Sequence, residues 1–262
     1  ASPETIAYYL TDISSEYKVS TLERRLATIS KVHKLVDEES PSSDPKVSEL
    51  MKALRRTKGT KKRKVKPLLS PHIKKICKNL TGELIDIRDR ALLLLGFSGG
   101  LRRSELVQLK TSNIEKTKQG LVLTLEKSKT DQEKSGRQIG ITYGSNLKTC
   151  PVRSYQTWLD ESGIENDNIF RPITRHGKIK SSALSAQSVA LVVKRRIEEI
   201  GLDAQNFSGH SLRAGFVTEA FQNGASTVAV KETTGHSTDR ILQEYYRPAT
   251  LFENNASALL NL

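Results

Sequence analysis

The stretch "SGHSLRAGFVTEAFQNGASTVAVKETTGHSTDRILQEYYRP" runs from Ser208 to Pro248. It holds two of the five histidines of the chain, each after a glycine, as Gly209-His210 and Gly235-His236, and two adjacent tyrosines, Tyr245 and Tyr246. His210 and Arg213 stand three apart, which on a helix puts both on one side. There one could exchange a proton while the other neutralises an oxyanion. Taken alone, an H-x-x-R is better read as a capping His followed by a solvated Arg. Tyr245 follows His236 by nine residues; a phenolic oxygen is a poor general base but can be a covalent nucleophile. The competing reading makes both tyrosines half-buried aromatics of a terminal helix.

Upstream, two further groups fit beside these. In "SGGLRRSELVQLK", Ser98–Lys110, glycines end one helix and Arg102 sits where the next begins. An Arg at such a junction can aim its five-donor fork at a phosphate near free backbone N–H groups; the plainer reading pairs it with Glu105. Lys129, in "LEKSKTDQ", falls near the tip of a strand pair, where a lysine could reach into a groove and protonate a leaving oxygen. Lys127 and Lys134 compete for that role, and a solvated turn lysine is the plain alternative.

The rest of the chain narrows the partner. Its 262 residues suffice for one large domain or two modest ones. Net charge is +13, which favours a polyanionic partner. The charge is clustered: Lys52–Lys66, "KALRRTKGTKKRKVK", has nine basic residues and no acidic one. Such a run points to nucleic acid, and read alone also to a nuclear-import signal or a disordered basic arm. No apolar stretch is long enough to span a bilayer, and no signal peptide is visible. Two cysteines, Cys77 and Cys150, argue for a reducing compartment and against a disulfide framework. His33, His72, His176, His210 and His236 lack metal-ligand spacing, and no Walker loop or Rossmann fingerprint occurs. Neither a metal nor a nucleotide cofactor is expected.

The periodicity predicts a mainly α fold with a small antiparallel sheet. A helix starts at Ser2-Pro3-Glu4; a capping box at Ser20-Thr21-Leu22-Glu23 opens a second, with Leu22, Leu26, Ile29, Val32 and Leu35 as its face. After the break "EESPSSDP" a short helix spans Val47–Leu54. Residues 1–57 thus form a small helical unit, 58–69 a basic linker poor in apolar residues, and 70–262 a second domain. In that domain helices open at Ser70-Pro71, run through "ELIDIRDRALLLLGFSGG" and "CPVRSYQTWLDESG", and recur over Ala186–Ile200, Ser211–Asn223, Thr227–Thr233 and Arg240–Tyr246. "GLVLTLEKSKT" and "GRQIGITYG" alternate as two strands.

Each signal is weak alone, but their order is specific. "GLRRSEL", "SKT", "SGHSLRAG" and "TGHSTDRILQEYYR" together resemble the tyrosine recombinase (phage integrase) family, over essentially the whole chain. The N-terminal segment resembles the later helices of the core-binding domain of Cre-like members. With Ala1 first and Met51 the only methionine, the resemblance implies a chain trimmed at its N-terminus.

The resemblance implies a site-specific DNA recombinase with a partial core-binding domain, a catalytic domain and a C-terminal exchange helix. Arg102 and Arg213 would clamp the non-bridging oxygens of the scissile phosphate, and His210 would hydrogen-bond it and handle the proton of the nucleophile. Lys129 would be the general acid for the 5′-oxygen, His236 would support the transition state, and Glu105 would orient the site. Tyr245 would attack, giving a 3′-phosphotyrosyl link and a free 5′-hydroxyl, with no metal, nucleotide or ATP. Lys58, Lys61, Lys62, Arg63, Lys64 and Lys66 would follow the DNA backbone between two domains clamped on the duplex. The apolar tail residues Leu251, Phe252, Leu259, Leu260 and Leu262 would dock on a neighbour in a homo-tetramer on double-stranded DNA. A cytoplasmic, nucleoid-associated protein follows. A type IB topoisomerase or telomere resolvase shares the chemistry, and a DNA-binding regulator that has lost catalysis shares the fold.

Overall fold

The computed structural model describes residues 1–60, 65–125, 136–236, 238–251, 257 and 260. It divides into two compact units, residues 1–64 and 65–262.

The first unit holds α1 (Pro3–Ser14), α2 (Val19–Leu35) and α3 (Pro45–Lys58). Ser2 Oγ caps α1 by accepting from the Thr5 N–H, and Asp44 caps α3 by accepting from the Lys46 N–H. The core is Ile6, Leu10, Val19, Leu22, Val47 and Met51. Two expectations change here. The helix expected to open at Ser20 begins at Val19, whose side chain is buried in that core. Burial therefore outweighs the capping box, and Lys18 becomes an N-cap without a side-chain bond. Of its expected apolar face, Val32 and Leu35 are exposed, because α2 runs on past the core it packs against.

The stretch 58–69 is also not a uniform linker. Lys58 is the last residue of α3, and its Nζ donates to the Ser14 carbonyl. At the other end the backbone is fastened to the second unit: Lys66 N–H donates to Asn206 O (2.7 Å) and Leu68 N–H to Ser211 O (2.9 Å). Leu68 lies in that unit's core. Lys61, Lys62, Arg63 and Lys64 lie outside the described residues.

The second unit is built on α5 (Leu84–Ser98), which follows α4 (Ser70–Asn79). "ALLLL", Ala91–Leu95, is buried on every side, as expected of a helix apolar all round. From it the chain passes Gly99-Gly100 into α6 (Arg103–Gln108). A three-stranded antiparallel sheet follows, β1 (Ile114–Lys116), β2 (Gly120–Leu125) and β3 (Arg137–Thr142), in the order β1-β2-β3. Leu121, Leu123 and Leu125 of β2 and Ile139 and Ile141 of β3 face the core. α7 (Pro151–Ser162) and α8 (Ala186–Glu199) complete this layer, with Trp158 Nε1 donating to Ile169 O at 2.9 Å. α9 (His210–Gln222), α10 (Thr227–Thr234) and α11 (Asp239–Ala249) close the unit. They share a satellite core of Val217, Phe221, Val230 and Leu242. Leu251 and Leu260 of the tail are exposed; Phe252, Leu259 and Leu262 lie outside the described residues.

Gly215 of α9 fixes how the segment before α4 crosses this helix. A Cβ there would stand 1.9 Å from Leu68 O and 3.1 Å from Phe97 Cε2. Alanine is about 1 kcal/mol better than glycine in a helix interior, so propensity alone favours Gly215→Ala. Backbone overlap costs more than this gain. The variant is expected to lose about 1–3 kcal/mol of stability, read as a lower denaturant midpoint; an unchanged or raised midpoint would refute the packing argument.

Candidate active site

Four chain segments far apart in sequence meet at one place in the second unit. Arg102 is the N-cap of α6, and its backbone N–H donates to Glu105 Oε2 at 2.8 Å. Its guanidinium bonds Glu105 Oε1 (2.6 Å) and Gly235 O (2.9 Å). The pairing with Glu105 read from the sequence therefore exists, but as part of a larger set. Arg137, first residue of β3, donates from Nη2 to Glu105 Oε2 at 2.9 Å. Burial pushes the Glu105 carboxyl upward, but the Arg102 N–H and the guanidiniums of Arg137 and Arg102 outweigh it and hold the pKa below its ordinary value.

His210 and Arg213 occupy the first turn of α9. Arg213 is only 2% exposed, so it is not a solvated surface Arg. Its Nη1 donates to Gly100 O at 2.9 Å, while Nη2 has no hydrogen-bond partner among the described residues. Burial first, then repulsion from Arg102, lowers its pKa to about 9. It is still cationic at neutral pH, a buried charge with donor capacity to spare.

His210 keeps solvent contact as a residue, but protein atoms surround its ring. That desolvation, then Arg213, Arg102 and Arg103, lowers its pKa, so the ring is neutral at pH 7. His210 Nε2 lies 3.0 Å from the Tyr245 hydroxyl. The next ring, Tyr246, turns away and meets Phe221 edge-on, with centroids 5.1 Å apart and planes at 88°. His236 is buried beside Thr234. Desolvation, then Arg213, Arg102, His210 and Arg137, depresses its pKa to about 3.

Arg102, Glu105, His210, Arg213, His236 and Tyr245 are thus brought together. Lys129 lies outside the described residues. Lys58 is the last residue of α3 in the first unit, and Lys66 is fastened by its backbone to Asn206 near the start of the second. Arg137 and Thr234 join the cluster without having been singled out. Only the pairing of Leu125 with Arg137 across β2 and β3 brings Arg137 here, and nothing local in "GRQIGITYG" marks it. Among the described residues no helix is long and apolar enough to cross a membrane.

A buried Arg213 near an exposed Arg102, a histidine against a tyrosine and a second glycine-anchored histidine on a helical scaffold with a small sheet define a class, and comparison with known proteins agrees. A model of the phage integrase family matches residues 66–251. An integrase/recombinase xerD homolog of Selenomonas ruminantium is 38% identical over 260 residues, 98% of this chain and 76% of that protein. Tyrosine recombinase XerD of Halalkalibacterium halodurans is 27% identical over 257 residues, covering 92% of this chain and 76% of its own. Tyrosine recombinase XerD of Corynebacterium glutamicum is 30% identical over 168 residues, 62% of this chain but 48% of that protein, about half its length. The solved structure of XerH site-specific recombinase bound to palindromic difH substrate, a post-cleavage complex, superposes with a TM-score of 0.68. It has 20% identity and covers 100% of this chain and 71% of that one; at this identity it speaks for the fold. The chain belongs to the phage integrase family and is a tyrosine site-specific recombinase.

Proposed function

We propose that the chain cleaves and rejoins duplex DNA at a specific site through a 3′-phosphotyrosyl intermediate, within a tetrameric synaptic complex. The observation that carries this reading is the 3.0 Å contact between Tyr245 Oη and His210 Nε2, beside the buried, half-partnered guanidinium of Arg213. Arg213 and Arg102 bind the non-bridging oxygens of the scissile phosphate, where negative charge grows in the pentavalent transition state. Neutral His210 accepts the phenol proton as Tyr245 Oη bonds to phosphorus. The bond from phosphorus to the 5′-oxygen breaks, and Lys129 supplies that oxygen with a proton. Glu105 holds Arg102 and Arg137 in place. Attack by the 5′-hydroxyl of another strand reverses each transfer and releases Tyr245. The bond energy is conserved in the covalent link, so the cycle requires no ATP.

Electrostatics also support a DNA partner. The net charge of +13 and the run Lys58, Lys61, Lys62, Arg63, Lys64 and Lys66 suit the phosphate backbone, where each neutralised phosphate contributes about 0.9 to the salt slope. The relatives point the same way, since XerH was solved on its difH substrate and lambda integrase as a dimer bound to a COC′ core site. The exposed Leu251 and Leu260 fit a tail that docks on a neighbouring protomer.

The test is a trapped intermediate. The target is first found by sequencing DNA that remains on the denatured protein, and a nicked suicide duplex carrying that site is then supplied. The expected result is a DNA–protein adduct that survives denaturation, together with exchanged strands when two sites are present. Adduct without exchange between two sites would favour a topoisomerase-like cycle; no adduct at all would leave only a DNA-binding role.

A further inference from the structure

Thr234 closes α10 and is fully buried. Its Oγ1 lies 2.6 Å from the Val230 carbonyl oxygen, one turn back, and donates to it. The same Oγ1 lies 2.7 Å from His236 Nδ1. Two lone pairs facing at either distance would repel, so each contact needs its own proton. The hydroxyl has one, and it sits on the bond to Val230. The proton on the second contact therefore belongs to His236 Nδ1.

The ring has little freedom to choose otherwise. Gly235, between the two residues, adopts the left-handed conformation with φ 63° and gives its carbonyl to Arg102 Nη2. A Cβ at Gly235 would stand 2.2 Å from Arg137 Nη1, so the turn that aims His236 is packed from behind. A neutral imidazole with its proton on Nδ1 presents a bare lone pair at Nε2. That nitrogen repels a phosphate oxygen unless the ring gains a second proton.

The groups facing the ring make that gain unfavourable in the free protein. They are Arg213 and His210 of α9, Arg102 at the start of α6 and Arg137 of β3. Tyr245 is carried by α11, Glu105 is already engaged by Arg102 and Arg137, and Lys231 of α10 is paired with Asp239. An oxyanion held by Arg102 and Arg213 would offset that positive field and offer the ring a charged acceptor, both of which favour the imidazolium.

We propose that Thr234 is a positioning residue that locks His236 as the Nδ1–H tautomer, so that His236 donates to the scissile phosphate only as an imidazolium and phosphate engagement takes up one proton. This rests on the scissile phosphate lying at Arg102 and Arg213. Its first part, the tautomer, is read on the free protein and stands apart from that reading, which the suicide-substrate adduct tests.

The experiment is imidazole 15N NMR of the full chain labelled at histidine, with inorganic sulfate as the anion. In the free wild type at pH 7, His236 is expected to show a protonated Nδ1 and a bare Nε2. Saturating sulfate is expected to bring both nitrogens to imidazolium positions at pH 7, which takes a rise of about 4–5 units in the His236 pKa. Thr234→Ser keeps the hydroxyl and is expected to keep both behaviours. Thr234→Val removes the acceptor and is expected to move the proton to Nε2, with no uptake on adding sulfate. A bare Nδ1 in the free wild type, a neutral ring in saturating sulfate, or a Thr234→Val ring that keeps the wild-type tautomer would each overturn the proposal. If the valine variant does not fold, the wild-type and serine spectra still decide it.

Discussion

Replacing Asp89 with alanine is expected to destabilise the second unit by about 3–5 kcal/mol, the loss typical of removing one partner from a buried ion pair. Asp89 sits on α5 with no exposed surface. Its Oδ1 accepts from Arg88 Nε (3.1 Å) and Nη2 (2.7 Å). Its Oδ2 accepts from Arg196 Nε (2.9 Å) and from Arg195 Nη2. Arg88 and Arg196 are themselves buried, so the deletion strands guanidiniums that cannot shed their charge. Asp86 still reaches Arg196 at 2.6 Å, and Arg88 keeps its bond to Arg171 O at 3.3 Å, so the remaining contacts cover only part of the deficit. The denaturant midpoint measures the loss, and a change below about 1 kcal/mol would show that the network behaves like a surface pair.

The pH dependence of the same network has a fixed sign. Burial raises the Asp86 pKa, but the Thr81 N–H and hydroxyl and Arg196 outweigh it, so the folded value lies below 3.8. Its contribution is therefore complete above the unfolded pKa and is lost as pH falls through the lower folded one. The depressed histidines act in the same direction at higher pH. His210 and His236 remain neutral in the folded chain while their unfolded forms take up protons below about 6.5. Stability thus declines on acidification from neutrality, first through the histidines and then through the carboxylates.

How much of this was legible in the sequence depended on whether a residue's role is set locally. The helical start at Ser2-Pro3 and the left-handed Gly163 after α7 follow from capping and φ preferences that need no distant partner, whereas Ser70 is the first residue of α4 and its N–H and hydroxyl both donate to the distant Glu219. The residues that cluster at the candidate site stood out as an ordered series, Arg102, His210, Arg213, His236 and Tyr245, although no single member was persuasive. Strand β1 was missed because Ile114 is half-buried and Glu115 and Lys116 are exposed, so its three residues carry no alternation. Val65–Leu69 looked like linker because a run of cations masks one buried leucine, whose place is set by the close approach at Gly215. Arg137 and Thr234 were invisible for a deeper reason. An arginine at a strand start and a threonine at a helix end are ordinary in their own segments. Only cross-strand register and the Gly235 turn give them Glu105 and His236 as partners.

Tyr245→Phe is expected to abolish the covalent DNA adduct while leaving DNA binding in place, a loss in cleavage on the order of 10^4–10^6. The substitution removes one oxygen, the one 3.0 Å from His210 Nε2. It keeps the ring that packs against the cluster of Val217, Phe221, Val230 and Leu242. Tyr246→Phe makes the same chemical change one residue on, about 100° around the helix. There the ring stands edge-on to Phe221, a contact that phenylalanine reproduces, and Tyr246 is 40% exposed. Stability should change by less than about 0.5 kcal/mol, and cleavage should remain near that of the parent. The pair of variants thus separates nucleophile from packing residue without altering bulk at either site. A tyrosine one position along α11 cannot substitute for its neighbour unless the helix rotates by that angle, which would pull Leu242 out of the core it shares with α9 and α10. Mass spectrometry of the trapped peptide locates the phosphodiester on one ring, and its appearance on Tyr246 would refute this assignment of the nucleophile.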